Sequence, residues 1–177
     1  MQLPLHTERL IVREWTTSDS DVHAALDLYG TPEVTEWLTP EPVAVSDFEA
    51  MRAVVHAWVE DQPHVVPPAG RWAVQDRNEN IVVGGLVLRL LPPYDHDLEL
   101  TWQLRPGKWG AGYATESAHA LLGWAFTHDI DDIYALVRPD NTRAAATAER
   151  IGMTWVGETS KYYDTDLHVY RIRYADL

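Results

Sequence analysis

The clearest alternation in the chain runs from residue 97 to residue 104. Leu98, Leu100, Trp102 and Leu104 alternate with Asp97, Glu99, Thr101 and Gln103, the period of a strand with one apolar and one polar face. The period then changes. Ala118, Leu121, Leu122 and Ala125 recur at helical spacing, which predicts a helix running to about His128. Between the two patterns lies a glycine-bearing turn, Leu104-Arg105-Pro106-Gly107-Lys108-Trp109-Gly110-Ala111-Gly112-Tyr113-Ala114-Thr115-Glu116. Residues 133–137 are apolar on both faces, as in a buried strand. Strand, helix and strand in this order fit a right-handed parallel crossover, with the glycine turn at its first junction.

The same patterning organises the rest of the chain. Residues 10–14 read as a first strand. Ser18-Asp19-Ser20-Asp21 caps a helix whose apolar face is Val22, Ala25, Leu26 and Tyr29. Thr31-Pro32 and Thr39-Pro40-Glu41-Pro42 punctuate the next section, a second helix covers 46–60, and the prolines within 62–70 mark a loop. Residues 71–76 and 81–91 form a hairpin around Arg77-Asn78-Glu79-Asn80, with Gly84-Gly85 signalling a bulge or a kink. A short helix over 142–150 stops at Gly152. Residues 155–163 and 167–175 read as a closing antiparallel hairpin. The whole predicts an α/β (α+β) fold, a mixed sheet with flanking helices in one domain spanning 1–177.

Composition narrows the chemistry. A chain of 177 residues with 46% hydrophobic content is long enough to bury about 70% of its unfolded surface. The absence of cysteine excludes disulfides, thiolate metal sites and a cysteine nucleophile. The histidines, at 6, 23, 56, 64, 96, 119, 128 and 168, form no close pair at metal-ligand spacing, so no metal is expected. No N-terminal apolar run resembles a signal peptide and no segment reaches membrane-span length, so the expectation is a cytoplasmic protein with no membrane partner. The net charge of −13 argues against nucleic acid as a partner.

The glycine turn carries the chemistry. Its glycines let the backbone approach a ligand closely, and the helix that follows presents unpaired N–H groups to it. Such a turn is suited to an anion, most often a phosphate. Given the acidic chain, a phosphate there would be held by local N–H groups with Lys108 and Arg105. This is feasible because the helix terminus acts at contact distance while the overall field is screened over ~8–10 Å. A dinucleotide fingerprint does not fit, since Gly110-x-Gly112 is followed by Thr115 where a third glycine is needed, and the turn sits mid-chain.

Three segments point to a family. They are Thr7-Glu8-Arg9-Leu10-Ile11-Val12-Arg13, then Trp109-Gly110-Ala111-Gly112-Tyr113-Ala114-Thr115-Glu116, then Asn141 with Glu149-Arg150-Ile151-Gly152-Met153. In this order and at these separations the chain resembles the GNAT-type N-acetyltransferases, and more closely the branch containing the ribosomal-protein N-terminal acetyltransferases. The resemblance implies a mostly antiparallel sheet splayed at one parallel pair, and acetyl-CoA as cosubstrate. It implies that backbone N–H groups of Gly110, Ala111, Gly112, Tyr113, Ala114 and Thr115 hold the pyrophosphate, in a loop opened by Trp109 where many members have Gln or Arg. The pantetheine arm would lie between the strands at 97–104 and 133–137, paired with the strand end near Leu104 and bonded by Asn141. Transfer would go directly from thioester to an amine, either a protein or peptide N-terminus or a small molecule. Homodimers are a habit of the family, and no residue here demonstrates one.

Two family positions depart from the pattern. A serine three residues after the asparagine, or a tyrosine four before the glycine, protonates the departing thiolate in many members; here these are Ala144 and Ala148. Either another donor such as Tyr162 or Tyr163 serves, or the thiolate, with a thiol pKa near ~8.5, leaves unassisted. The same departures define a non-enzymatic alternative, an acyl-CoA-binding regulatory module with little or no turnover. On the acceptor side, an α-amino group of pKa ~7.7–8.0 is on the order of 10% neutral at pH 7, so modest base catalysis suffices. Glu99 is the candidate base, working through water for ~10²–10⁴-fold; the competing reading is a solvated strand residue. Asn141 also suits a helix cap. Tyr94-Asp95-His96-Asp97 reads as a polar connector, and Trp58, Trp72 and Trp102 as core or interface rings.

Overall fold

The computed structural model describes residues 3–38, 45–92 and 96–177. The punctuation expected at 39–42 therefore lies outside the described residues, as do Tyr94 and Asp95 of the expected connector. The chain opens with β1 (Leu5–His6) and β2 (Leu10–Glu14), then α1 (Asp19–Tyr29), α2 (Pro32–Thr35) and α3 (Phe48–Asp61). Next come β3 (Gly70–Asp76), β4 (Ile81–Leu90), β5 (Leu98–Leu104), α4 (Tyr113–Ala125), β6 (Asp132–Val137) and α5 (Thr142–Ile151). It closes with β7 (Thr154–Thr159) and β8 (Leu167–Arg173). One eight-stranded sheet results, in the order β1-β2-β3-β4-β5-β6-β8-β7. Only the β5–β6 pair is parallel among the described strands.

The caps are those the residues favour. Ser18 accepts from the Asp21 N–H at the start of α1, and Asp47 accepts from Ala50 at the start of α3. Gly152 ends α5 in the left-handed region. The bulge expected near Gly84-Gly85 is present, because Val74 pairs with Gly84 while Gln75 pairs with Val82, leaving Val83 as the extra residue.

Helices cover both faces of the sheet. On one face α4 packs over Leu10, Val12, Trp72, Leu86, Leu88 and Leu100. On the other, α1 and α3 enclose a second cluster that includes Trp15, Val22, Leu28, Met51 and Val55. This second layer corrects the reading of β5 as a strand with a solvated polar face. Leu98 and Leu100 face α4, while Glu99 and Gln103, only 1% and 5% exposed, lie on the opposite face, Gln103 bonded to Tyr29 of α1 and Glu99 to Arg89 and Tyr163. The alternation in β5 separates two covered faces rather than an inside from an outside. Conversely, β6 is not buried throughout, since Tyr134 and Leu136 are half-buried.

The parallel pair is short. Leu98 pairs with Ile133 and Glu99 with Tyr134, and the pairing stops there. Beyond Glu99 the two strands diverge and leave a wedge between Leu100–Leu104 of β5 and Ala135–Val137 of β6.

Candidate active site

The wedge opens into a cleft of about 980 Å³. Its first half is built on the glycine turn. A 3₁₀ turn at Pro106–Lys108 leads into Gly110 and Gly112, with φ of +79° and +81°, a region that costs a side chain ~1–2 kcal/mol. Gly112 is the N-cap of α4, and the first helical bond runs from the Glu116 N–H to the Gly112 carbonyl at 3.0 Å. The amides of Tyr113, Ala114 and Thr115 ahead of it have no acceptor within the helix. An added Cβ at Gly110 would meet nothing within 4 Å, so the space before the turn is open.

Charged and aromatic contacts lock this turn in place. Glu116 accepts from the Thr7 hydroxyl, from the Arg9 backbone N–H at 2.8 Å and from Arg9 Nε at 2.6 Å. Arg9 Nη1 also donates to the Ala111 carbonyl at 2.9 Å. Burial pushes the Glu116 carboxyl up, but the bonds from Thr7 and Arg9 win and hold it below its usual value. The opening Thr7–Arg13 segment thus serves as the clamp on the turn. Tyr113 donates to Asp76 at 2.7 Å, and Trp109 Nε1 donates to the Leu104 carbonyl at 3.0 Å.

Lys108 and Arg105 do not supply the charge expected of them. Lys108 is paired with Glu79 at 2.7 Å and Arg105 with Asp27 at 3.2 Å. The cations that line this half are instead Arg143 and Arg150, seven residues apart on α5 and therefore on one helix face. The Arg143 guanidinium stacks over the Trp109 ring at 3.5 Å. Their spacing beside Asn141 was visible in the sequence and was the signal to follow.

Of the sequence-derived candidates, Leu104, Trp109, Gly110, Gly112, Tyr113, Ala114, Thr115 and Asn141 all line the cleft; Ala111 does not. Asn141 caps α5, accepting from the Ala144 N–H at 3.0 Å, while bordering the cleft. Ala144 lines the cleft as well, whereas Ala148 is fully buried in the core. Neither Tyr162 nor Tyr163 is part of the lining.

Glu99 is on the floor, at the point where the wedge begins. Its Oε2 accepts from Arg89 Nε at 2.9 Å and from the Tyr163 hydroxyl at 3.0 Å. Burial pushes the Glu99 carboxyl above the usual range, and the attraction of Arg89 and the bond from Tyr163 offset only part of that. Tyr163 is raised in turn, by burial and by the Glu99 charge. A buried carboxylate whose proton affinity is shifted toward neutrality, and which opens onto a cleft, has the character of a general base.

The second half of the cleft comes from α1, α2, α3 and β3. Tyr29 donates to Gln103 Oε1 at 2.9 Å and meets the Trp58 ring edge-on at 5.2 Å. Gly85 makes this possible, because a Cβ there would come within 2.6 Å of the Tyr29 hydroxyl. Trp58 and Trp102 line the cleft, while Trp72 is a core ring.

Comparison with known proteins decides the family. Residues 9–154 match the model of the acetyltransferase (GNAT) domain. The chain belongs to the GNAT acetyltransferases. It is 26% identical to N-acetyltransferase p20 of Bacillus licheniformis over 139 residues, covering 78% of this chain and 75% of that protein. A GNAT-family acetyltransferase from Bacillus anthracis superposes with a TM-score of 0.75 at 27% identity, over 96% of this chain and 97% of that one. The ribosomal-protein-S5-alanine acetyltransferase of Vibrio fischeri gives a TM-score of 0.77 over 99% and 98% of the two chains. At 20% identity that last likeness is one of fold. GNAT acetyltransferases use acetyl-CoA and act on amines, which makes this chain an acetyltransferase whose acceptor is the open question. No described helix is long and apolar enough to cross a membrane.

Proposed function

We propose that the protein transfers an acetyl group directly from acetyl-CoA to the nitrogen of an amine, a protein or peptide N-terminus or a small molecule, in the cleft between the glycine turn and Glu99. The observation that carries the reading is the presence, in one cleft, of an open left-handed glycine turn at a helix start and a buried carboxylate of raised proton affinity. The N–H groups of residues 110–115 take the pyrophosphate, with Arg143 and Arg150 supplying positive charge. The pantetheine arm fills the wedge along Leu104 and reaches Asn141. The thioester then points toward the floor.

The amine nitrogen attacks the thioester carbonyl, forming the C–N bond as the C–S bond breaks. Glu99 accepts the proton that the amine gives up, through a water molecule, and the CoA thiolate ends protonated as the thiol. Hydrogen bonding to Arg89 and Tyr163 fixes the carboxylate in place for this step. A rival reading, a module that binds acyl-CoA without turnover, draws on Ala144, which leaves the cleft without a hydroxyl at that position. The tuned carboxylate favours turnover, because a binding module has no use for a base.

Thiol release from acetyl-CoA across a panel of amines tests the proposal, and the chain has no cysteine to add background. Release stimulated by an amine class is the expected result. Binding of acetyl-CoA with no release from any amine would establish the rival.

A further inference from the structure

The acceptor half of the cleft contains a cation that no carboxylate of the described residues pairs with. Arg71 on β3 lines the cleft, and none of the ion pairs among the described residues includes it. Its guanidinium is held over the Trp58 ring at 4.5 Å, and its charge is felt by the buried Tyr29 hydroxyl. Its backbone N–H is fixed by Gln62 Oε1 at 3.0 Å. In a chain with 27 acidic against 14 basic residues, an arginine positioned by an aromatic ring and unpaired among the described carboxylates is an available binding group.

The register shows what Arg71 shares the floor with. Arg71 pairs with Val87, Val87 with Thr101, and Arg89 with Glu99. Residues directly opposite in neighbouring strands point to the same face, so Arg71 and Glu99 occupy the same side of the sheet, the side roofed by α1 and α3. Two strand spacings and two residues separate their Cα atoms, about 12 Å. With both side chains reaching inward, the gap suits a molecule of a few heavy atoms. Around it stand Val34, Trp37, Met51, Val54 and Trp58, a mostly apolar and aromatic wall that Glu33 and Arg138 interrupt.

We propose that the acceptor is a small amine that bears its own carboxylate, an amino-acid-like zwitterion with an apolar side chain, whose carboxylate is bound by Arg71 while its amine faces Glu99. This inference rests on the acetyl-transfer reading above and narrows its acceptor. A guanidinium presents two parallel N–H donors that match a carboxylate. A peptide N-terminus has no carboxylate beside its amine and would leave Arg71 unanswered. A polyamine or aminoglycoside would bring a second positive charge against it. The transfer balances as before: the C–N bond forms, the C–S bond breaks, and the proton lost from the amine ends on CoA. The product keeps its carboxylate and loses its ammonium, so it forfeits the attraction of Glu99.

The test compares an apolar amino acid, its carboxamide and a tripeptide starting with the same residue, with thiol release as the readout. The amino acid should show the highest kcat/KM, by on the order of 10–100-fold. Arg71→Gln should raise its KM on the order of 100-fold, leave kcat and the acetyl-CoA affinity nearly unchanged, and erase the preference over the carboxamide; Arg71→Lys should restore part of it. A carboxamide or tripeptide that matches the amino acid in the parent enzyme, or an unchanged KM in Arg71→Gln, overturns the inference while leaving acetyl transfer intact. If no amine stimulates release, calorimetry on the acetyl-CoA-loaded protein decides. Amino-acid binding lost in Arg71→Gln sustains the site, and absence of binding overturns it.

Discussion

The two halves of the cleft are built by different means. The half proposed to hold acetyl-CoA is built mainly from one short stretch of chain, residues 104–116, clamped by Arg9, Asp76 and α5. The groups proposed to bind there are chiefly backbone amides, with Arg143 and Arg150 beside them, so its function would depend on main-chain conformation more than on side-chain identity. The acceptor half gathers Tyr29, Val34, Met51, Trp58 and Arg71 from four separate elements. Its binding groups are side chains, which can be exchanged without disturbing the turn. The difference teaches where each kind of specificity would sit: the cosubstrate in main-chain geometry, the acceptor in side chains drawn from separate elements. Glu99 stands between them, and as the proposed base it would act only once both halves are filled.

The sharpest way to break this comparison is to distort the turn. Gly112→Val places a β-branched side chain at φ +81°, where it is strongly disfavoured, with a Cβ 3.4 Å from the Arg9 guanidinium that holds Glu116. Acetyl-CoA affinity measured by calorimetry should fall more than about 100-fold. Gly112→Asn is the control, since asparagine tolerates the left-handed region; it should retain most of the affinity. Equal losses in both variants would show that side-chain bulk, not main-chain conformation, makes the difference.

Next in size is Glu99→Gln. Turnover at neutral pH should drop about 10²-fold, with acetyl-CoA affinity unchanged. The sign of the pH dependence follows from the raised proton affinity. The base works only when ionised, so activity should fall as pH drops through a value above the usual carboxylate range, and the variant should lack that acidic limb. A limb that survives in Glu99→Gln would assign it to another group.

The glycine turn was legible in the sequence because its conformation is local. Gly110, Gly112 and the change of period around them predict strand, turn and helix start without any knowledge of distant contacts, and the capping roles of Ser18 and Asn141 are equally local. The polar side of β5 was misread for the opposite reason. Alternation reports that two faces differ, but it does not report that Tyr29, Arg89 and Tyr163 cover the polar one. Lys108 and Arg105 were nominated by proximity along the chain, and tertiary partners, Glu79 and Asp27, claim them. Arg71 left no trace in any local pattern, since its neighbour Trp58 lies 13 residues away in the chain; Tyr163 was named only as a candidate donor to the thiolate, and its bond to Glu99, 64 residues away, is not readable from local pattern.

Arg143→Ala sharpens the account of the first half by separating charge from backbone. Arg143 is exposed and rests on Trp109, so its loss should leave the turn intact and weaken acetyl-CoA about 10-fold at low salt. The deficit should shrink as ionic strength rises, since an exposed cation is screened over ~8–10 Å. A deficit independent of salt would mean that Arg143 acts by packing on Trp109. Acceptor KM should not move in this variant, whereas it is the parameter expected to move when Arg71 is replaced.

The smallest effect is the most specific. Tyr163 donates to Glu99 Oε2 from outside the cleft lining, and this bond favours the ionised carboxylate. Tyr163→Phe removes the donor and keeps the ring. Glu99 should then hold its proton more tightly, so the acidic limb of the pH–rate profile should move to higher pH by about one unit. Well above the limb, where Glu99 is ionised in both proteins, turnover should differ less than about 3-fold. A general acid for the CoA thiolate would behave otherwise, since its loss would lower turnover across the whole profile without moving the acidic limb. The profile thus separates a residue that tunes the base from one that protonates the leaving group, and a limb displaced toward lower pH would contradict the donor role itself.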